Sequence, residues 1–282
     1  MLPVMATNPR PQVQTWLSDD AGERWQRGAA RRVEAMAAAT ELMLDLAGVR
    51  PGIRVLDVAA GTGDSSLEAA KRVGPDGYVL ATDLSASMLA QAAKAAAVAG
   101  LLQVHTHVSD AQELDLEPDS FDAAICRMGL MFFPDRRKAL RAIRRVLKPG
   151  GKFAAVVWSA AAKNLYLTIP LDAVGRRSAE AAGASSVRIA LSMGEPGVLD
   201  DELAGAGFRD VSVHPVPSNR RFASAAEAVE NMRSAPAAEV VAKLPESERE
   251  AAWSDIEGQL RSFEGPAGCE LLGEVLVGVG AK

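Results

Sequence analysis

The chain has 282 residues, with 31 Lys and Arg against 36 Asp and Glu, a net charge of −5 and 48% hydrophobic residues. That length suits one large α/β domain, or one domain plus a cap, with a substantial core. The mild acidity argues against a general nucleic-acid or anionic-membrane surface.

In chain order, the proline-broken start Met1-Leu-Pro-Val-Met-Ala-Thr-Asn-Pro-Arg-Pro11 lacks the long apolar region of a signal peptide. No later stretch approaches a membrane span, so the cytoplasm is the expected compartment. Residues 12–48 read as helices. Trp16 and Trp25 precede an apolar segment of Ala37, Leu42, Leu44 and Leu46, and Gly48 is a plausible stop. Short apolar runs then alternate with helical ones. Strands are expected at 54–58, 78–82, 102–108, 121–126 and 153–158, with helices at 65–73, 85–99 and 136–147. Gly100 and Pro149-Gly150-Gly151 act as breakers. Such alternation implies crossover units and a parallel sheet covered on both faces. Helix 136–147 puts Leu140, Ile143 and Leu147 on one face. Arg137, Arg141, Arg144, Arg145 and Lys148 fall elsewhere, on an expected solvated face. Residues 159–193 carry an apolar helical segment, 196–206 a helix, and 208–213 a sixth strand. Residues 223–263 read as a helical insertion with Trp253, Ile256, Leu260 and Phe263 on one stripe, and 274–280 as a final strand.

The most informative stretch is Val55-Leu-Asp-Val-Ala-Ala-Gly61-Thr-Gly63-Asp64. An apolar run ends in a tight glycine turn, a helix follows, and Asp83 closes the next run. Glycine lets a ligand approach the backbone without a Cβ clash or a φ penalty. A carboxylate at a strand end takes the two hydroxyls of a ribose. Asp64, Ser65 and Ser66 stand where the third glycine of a dinucleotide fingerprint would fall, so a nucleoside without phosphates fits better than a pyrophosphate. Asp57 would orient the loop by accepting backbone or ligand-amine hydrogen bonds. Helix capping is the favoured reading for Asp64, with ligand contact second.

Six segments in order carry a resemblance: 55–64, 81–89, 109–112, 120–122, 129–135 and 145–151. Over about residues 50–158 the chain resembles class I S-adenosylmethionine (SAM)-dependent methyltransferases, most of all the ubiquinone/menaquinone C-methyltransferase type. Ala60 departs from the glycine or cysteine common there. The resemblance implies a Rossmann-like, seven-stranded, mostly parallel sheet with helices on both faces. The last strand would be antiparallel. It also implies an N-terminal helical cap over 1–50, a methyltransferase domain over 51–282, and helical lid insertions at about 159–193 and 218–266. SAM is the implied cofactor. Ala59, Gly61 and Gly63 would meet its methionine part, Asp83 its ribose, and Leu84, Met88, Asp110 and Ala111 its adenine.

Arg127 lies where the fourth strand ends, beside Cys126 and Met128, and joins the cofactor set. It and His214, expected after the sixth strand, are the candidates for acid–base work; no general base is otherwise evident. Met128, Met131, Tyr166, Trp253 and Phe263 are the candidate acceptor pocket. Cys126 and Cys269 are the only cysteines, and Cys126, in an apolar run, reads as a buried reduced thiol. His105 and His107 share one face of a strand, but no acidic or cysteine cluster joins them, so no metal is expected. The acceptor is expected to be a small, lipophilic or aromatic molecule methylated on carbon or oxygen. A monomer or homodimer without a nucleic-acid partner is the expected form. A non-catalytic SAM-binding protein and a nicotinamide-dependent oxidoreductase are the alternatives; the latter lacks its G-x-G-x-x-G.

Overall fold

The computed structural model describes residues 16–26, 29–183, 186–233 and 236–282; residues 12–15, within the expected helical start, lie outside these. Alternating strands and helices build a seven-stranded sheet. Its strands are β1 Arg54–Val58, β2 Tyr78–Asp83, β3 Val104–Val108, β4 Phe121–Arg127, β5 Leu147–Trp158, β6 Arg209–Pro217 and β10 Glu274–Ala281. The order is β3-β2-β1-β4-β5-β10-β6. β10 runs antiparallel to both neighbours, and the other pairs are parallel. The chain reverses strand order beside β1, which opens a crevice at the carboxyl ends of β1 and β4.

Strand alternation sets the two core faces. Val55, Val79, Ile125, Val156 and Val277 pack with Met36, Met43 and Leu44 on one side. Leu56, Ala124, Phe153 and Val157 pack with Leu140, Ile143 and Phe208 on the other. The helices against these faces are α2 Ala29–Leu46, α3 Asp64–Val73, α5 Arg136–Val146 and α9 Val198–Gly205, while Leu89 of α4 Ala86–Val98 packs with Ala60 and Ala81 in a smaller cluster. The short α1, Ala21–Gln26, docks on α4: the Gly22 amide donates to Ser87 Oγ at 3.4 Å, and that hydroxyl donates to the Ser18 carbonyl at 3.1 Å.

One departure concerns local chemistry. The breakers Pro149-Gly150-Gly151 fall inside β5, where the register slips between Phe121 and Ala123 of β4 and Gly150 takes φ +78°. Arg137, Arg141 and Arg145 of α5 lie on an exposed face, as expected, and some of them also make contacts. Arg137 pairs with Glu202 of α9 at 3.2 Å, and Arg145 donates to the Leu114 and Leu116 carbonyls.

The remainder forms a third core of its own. It comprises α6 Leu165–Gly175, α7 Ala179–Gly183, α8 Ser186–Ala190, α10 Ala225–Arg233, α11 Pro236–Val241 and α12 Glu246–Leu260. The second insertion is not purely helical. β7 Arg220–Phe222, β8 Glu264–Gly265 and β9 Gly268–Leu271 make a small antiparallel sheet in the order β7-β9-β8. Strands this short carry little periodicity, so the sequence alone reads them as loop. The expected stripe also splits. Trp253, Ile256 and Leu260 are buried in this core, whereas Phe263 lies beyond the helix, in a 3-10 turn, and is exposed.

That split makes a direct comparison. Trp253→Ala removes a buried ring and is expected to cost roughly 3–5 kcal/mol in urea unfolding. Phe263→Ala should stay within about 0.5 kcal/mol, as for an unconstrained surface site. Equal losses from the two would show that the stripe is continuous after all.

Candidate active site

The glycine loop leaves β1 as a tight turn. The Gly63 amide donates to the Ala60 carbonyl, and the Ala60 amide to the Thr82 carbonyl, both at 3.0 Å, so alanine at position 60 fits the turn. Gly63 caps α3 at φ +87°, and a Cβ there would lie 2.7 Å from the Ala92 Cβ of α4. Gly61 has φ +56°, and the atoms nearest to its missing Cβ are Met88 Sδ at 3.8 Å and Trp25 Nε1 at 3.9 Å. One glycine therefore permits helix packing, while the other leaves the backbone open between a thioether and an indole. Across the crevice, a Cβ on Gly129 would stand 2.5 Å from that of Ala59. Ala59 and Met128 flank this contact at φ +55° and +63°. Left-handed non-glycine residues cost about 1–3 kcal/mol each and cluster at functional sites.

Four carboxylates, Asp57, Asp64, Asp83 and Asp110, lie at or just beyond the carboxyl ends of β1, β2 and β3. Asp57 is fully buried, and its Oδ2 accepts from Ser65 Oγ at 2.8 Å and Ser66 Oγ at 2.6 Å. Its Oδ1 is buried with no hydrogen-bond partner among the described residues. Burial pushes its pKa up to about 6, against the opposing pull of both serines and Arg127. Asp83 accepts from the Gly61 and Ser85 amides, each at 2.9 Å. Burial raises its pKa as well, against those backbone donors. Asp110 caps the 3-10 turn Ala111–Glu113, accepting from the Gln112 amide at 2.8 Å and holding the Gln112 side chain.

Asp64 does not cap α3; Gly63 holds that position without a side-chain bond. Its carboxylate is shared by two guanidiniums instead. Arg32 Nε and Arg127 Nη2 each approach Oδ2 at 2.9 Å. Arg127 also donates to Thr40 Oγ1 at 3.1 Å, and Arg32 to the Trp25 carbonyl at 3.0 Å, with its guanidinium 4.7 Å above the Trp25 ring. α2 is thereby pinned to the start of α3 and the end of β4. Arg127 is held as a strut and is not poised for proton transfer. Neither Arg32 nor Thr40 is marked by the sequence, since arginine or threonine in an alanine-rich helix carries no motif.

The other expected site residues scatter. Leu84 is exposed and Met88 buried, at the mouth beside Gly61. Ala111 is buried, and Met131 is wholly enclosed in the core under α5. Tyr166 belongs to the third core and donates its hydroxyl to Asn231 Oδ1 at 2.8 Å. Trp253 is buried in the same core, with the Arg233 guanidinium 4.8 Å from its ring centre. His214 does not follow the sixth strand. It lies within β6 opposite Val277, on the sheet edge, beside Ser212 Oγ at 3.0 Å, with three strands between β6 and β1. Cys126 is a buried free thiol whose pKa burial pushes up to about 12, so it stays protonated. His105, on edge strand β3, stacks on Tyr78 at 4.8 Å.

SAM would find suitable partners here. The amine of its methionine part suits the orphaned Asp57 Oδ1, and the open Gly61 face admits its backbone approach. Asp83 keeps acceptor capacity beyond its two amide bonds. The Arg32–Asp64–Arg127 group, two cations on one anion, suits a carboxylate.

Asp57 also gives the site a pH signature. Its folded pKa of about 6 exceeds the ordinary 3.8, so the folded state holds this proton more tightly than the unfolded chain. Its contribution to stability thus falls as pH rises from about 4 to about 6, by roughly 3 kcal/mol. Urea unfolding of wild type and Asp57→Asn at pH 4.5, 5.5 and 7 should show wild type losing ground to the variant over that window. A constant gap would mean that Asp57 does not titrate there.

Comparison with known proteins agrees with the geometry. Residues 38–170 match the model of the ubiE/COQ5 methyltransferase family. The ubiquinone/menaquinone biosynthesis C-methyltransferase UbiE of Bordetella parapertussis is 44% identical over 119 residues, 42% of this chain and 46% of that protein. An uncharacterized protein of Mycobacterium tuberculosis is 39% identical over 126 residues, 45% of this chain and 44% of that one. The chain thus spans about half the length of the curated relatives it matches. Among solved structures, the YcgJ protein of Bacillus subtilis shares the fold at TM-score 0.60 and 18% identity, covering 87% of this chain and 98% of that one. Over residues 38–170 the chain is therefore similar to the SAM-dependent methyltransferases of the ubiE/COQ5 family.

Proposed function

We propose that the chain transfers a methyl group from SAM to a carbon or oxygen of a small, lipophilic or aromatic acceptor. The observation that carries this reading is the pairing of the open Gly61 backbone with Asp83 at the reversal of strand order, above the unpartnered Asp57 oxygen. When bound, SAM supplies an electrophilic methyl group on a sulfonium. The chain's own part is positioning. Asp57 and the Arg32–Asp64–Arg127 group hold the methionine end, Asp83 the ribose, and Leu84, Met88, Asp110 and Ala111 the adenine. Ala59, Gly61 and Gly63 give the backbone its close approach, while Arg127 serves through Asp64. Alignment of this kind is worth roughly 7–11 kcal/mol, so a strong general base is not required at the outset. With Arg127 tied and His214 distant, neither earlier candidate is retained for proton transfer.

The division into a cap over 1–50 and a domain over 51–282 is part of the same reading. So is closure of the segments at 159–193 and 218–266 over the acceptor. Lids of this kind exclude water and select the acceptor. Met128 and Tyr166 stay in the pocket; Met131 lies beneath it, and Trp253 and Phe263 support or flank the lid. No described helix is long and apolar enough to cross a membrane. A cytoplasmic monomer or homodimer acting on a free small molecule is the form this reading takes.

Two measurements test it. Incubation with labelled SAM and a panel of lipophilic phenols and quinols should move label into the organic phase. Calorimetry should show binding of SAM and of S-adenosylhomocysteine, with no comparable binding of NAD. Asp83→Ala should weaken both adenosyl ligands about ten- to a hundredfold, as for loss of a charge-assisted hydrogen bond. Circular dichroism must remain native in that variant, since Asp83 also anchors the Gly61 amide. Full adenosyl affinity in a folded Asp83→Ala protein would place the ribose elsewhere.

A further inference from the structure

Arg220 stands out among the cations of the crevice side. It opens β7, three residues after β6 ends, with its backbone registered opposite Leu271 of β9. Its guanidinium lies 4.0 Å from the centre of the Tyr166 ring and 6.0 Å from that of Trp158. Trp158 ends β5 and Tyr166 sits on α6, so the cation lies where the sheet's carboxyl edge meets the third core. No carboxylate among the described residues pairs with it, and the side chain is half-buried. Its neighbour Arg221, which is exposed, has Glu270 at 3.2 Å. The unpaired arginine is therefore the one turned toward the protein.

The surroundings sharpen the imbalance. Burial lowers the Arg220 pKa, the nearby Tyr166 hydroxyl opposes that, and Arg32 adds like-charge repulsion. Arg32 is already committed to Asp64, which it shares with Arg127. These four side chains hold three positive charges and one negative. A desolvated cation without a counter-ion is costly, and an anion delivered to it relieves that cost. An aromatic face beneath a guanidinium keeps its hydrogen-bonding fork free for a planar, bidentate partner.

We infer that Arg220, held over Tyr166 and beside Trp158, anchors a carboxylate on the methyl acceptor, which is therefore an aryl or otherwise apolar molecule that carries an acid group, phenols and quinols included. This rests on the proposed methyltransferase reading and narrows its substrate class. Arg220 fixes the acceptor's acidic end at the lid, leaving its apolar body to run toward Met128 and the crevice.

The test uses 2-naphthoate and 3-phenylpropanoate, each beside its primary amide, titrated by calorimetry into full-length protein with and without saturating S-adenosylhomocysteine. Wild type should bind at least one acid about tenfold or more tighter than its amide, as a charge-assisted pair would give. Arg220→Gln should erase that preference and leave S-adenosylhomocysteine affinity unchanged; Arg220→Lys should keep part of it. An absence of acid preference in wild type, including no binding of either form, overturns the assignment. So does a preference that survives Arg220→Gln. A drop in S-adenosylhomocysteine affinity in the folded variant also overturns it, by giving Arg220 to the cofactor. If Arg220→Gln fails to fold, the lysine variant decides, and an undiminished preference there counts against the anchor. Failure of the methyltransferase reading looks different: wild type would bind no adenosyl ligand at all, whatever the acids do.

Discussion

The carboxyl ends of β1 and β4 must come together with almost no side-chain volume between them, and much of the molecule follows from this. Gly129 lies against Ala59 at a distance that no Cβ would survive, and Gly63 lets α3 start against Ala92. Ala59 and Met128 take left-handed backbone on either side. The result is a crevice floor made of backbone, closed at its rim by Trp25, Met88 and Asp83. Residues that line such a floor are chosen for what they lack.

Buried charge is the second ordering principle. Asp57 is held by two hydroxyls on one oxygen and left bare on the other, an arrangement that costs stability at neutral pH. Asp64 answers two arginines from different parts of the chain and turns the N-terminal helix into a wall of the site. Removing either partner of such a group strands a desolvated charge, so these residues are constrained more tightly than their surface neighbours.

Much of the fold was legible in the sequence. Short apolar runs around Val55, Val79 and Ile125 and turn residues such as Gly63 and Gly100 mark local structure that tertiary packing does not override. Asp83 is marked by its place at the end of an apolar run, and it accepts there from the Gly61 and Ser85 amides. The rest depends on partners far apart in the chain. Asp64 reads as a helix cap until Arg32 and Arg127 are brought to it from opposite directions. Phe263 continues a helical stripe on paper, but α12 ends at Leu260 and the ring turns outward. His214 reads as the residue after a strand that runs on to Pro217. The small β7–β9–β8 sheet, with strands of two to four residues, has no periodic signal to read.

The three cores meet at one place. Trp158, the last residue of β5, packs against both faces of the main sheet and against the helical third core. The chain has four tryptophans, and this one is the structural junction. Any rocking of the third core on the sheet changes the polarity around its indole, whichever segment starts the movement. The joint between the sheet and the third core thus carries its own fluorophore, and any movement there would be written into the emission of the unlabelled protein.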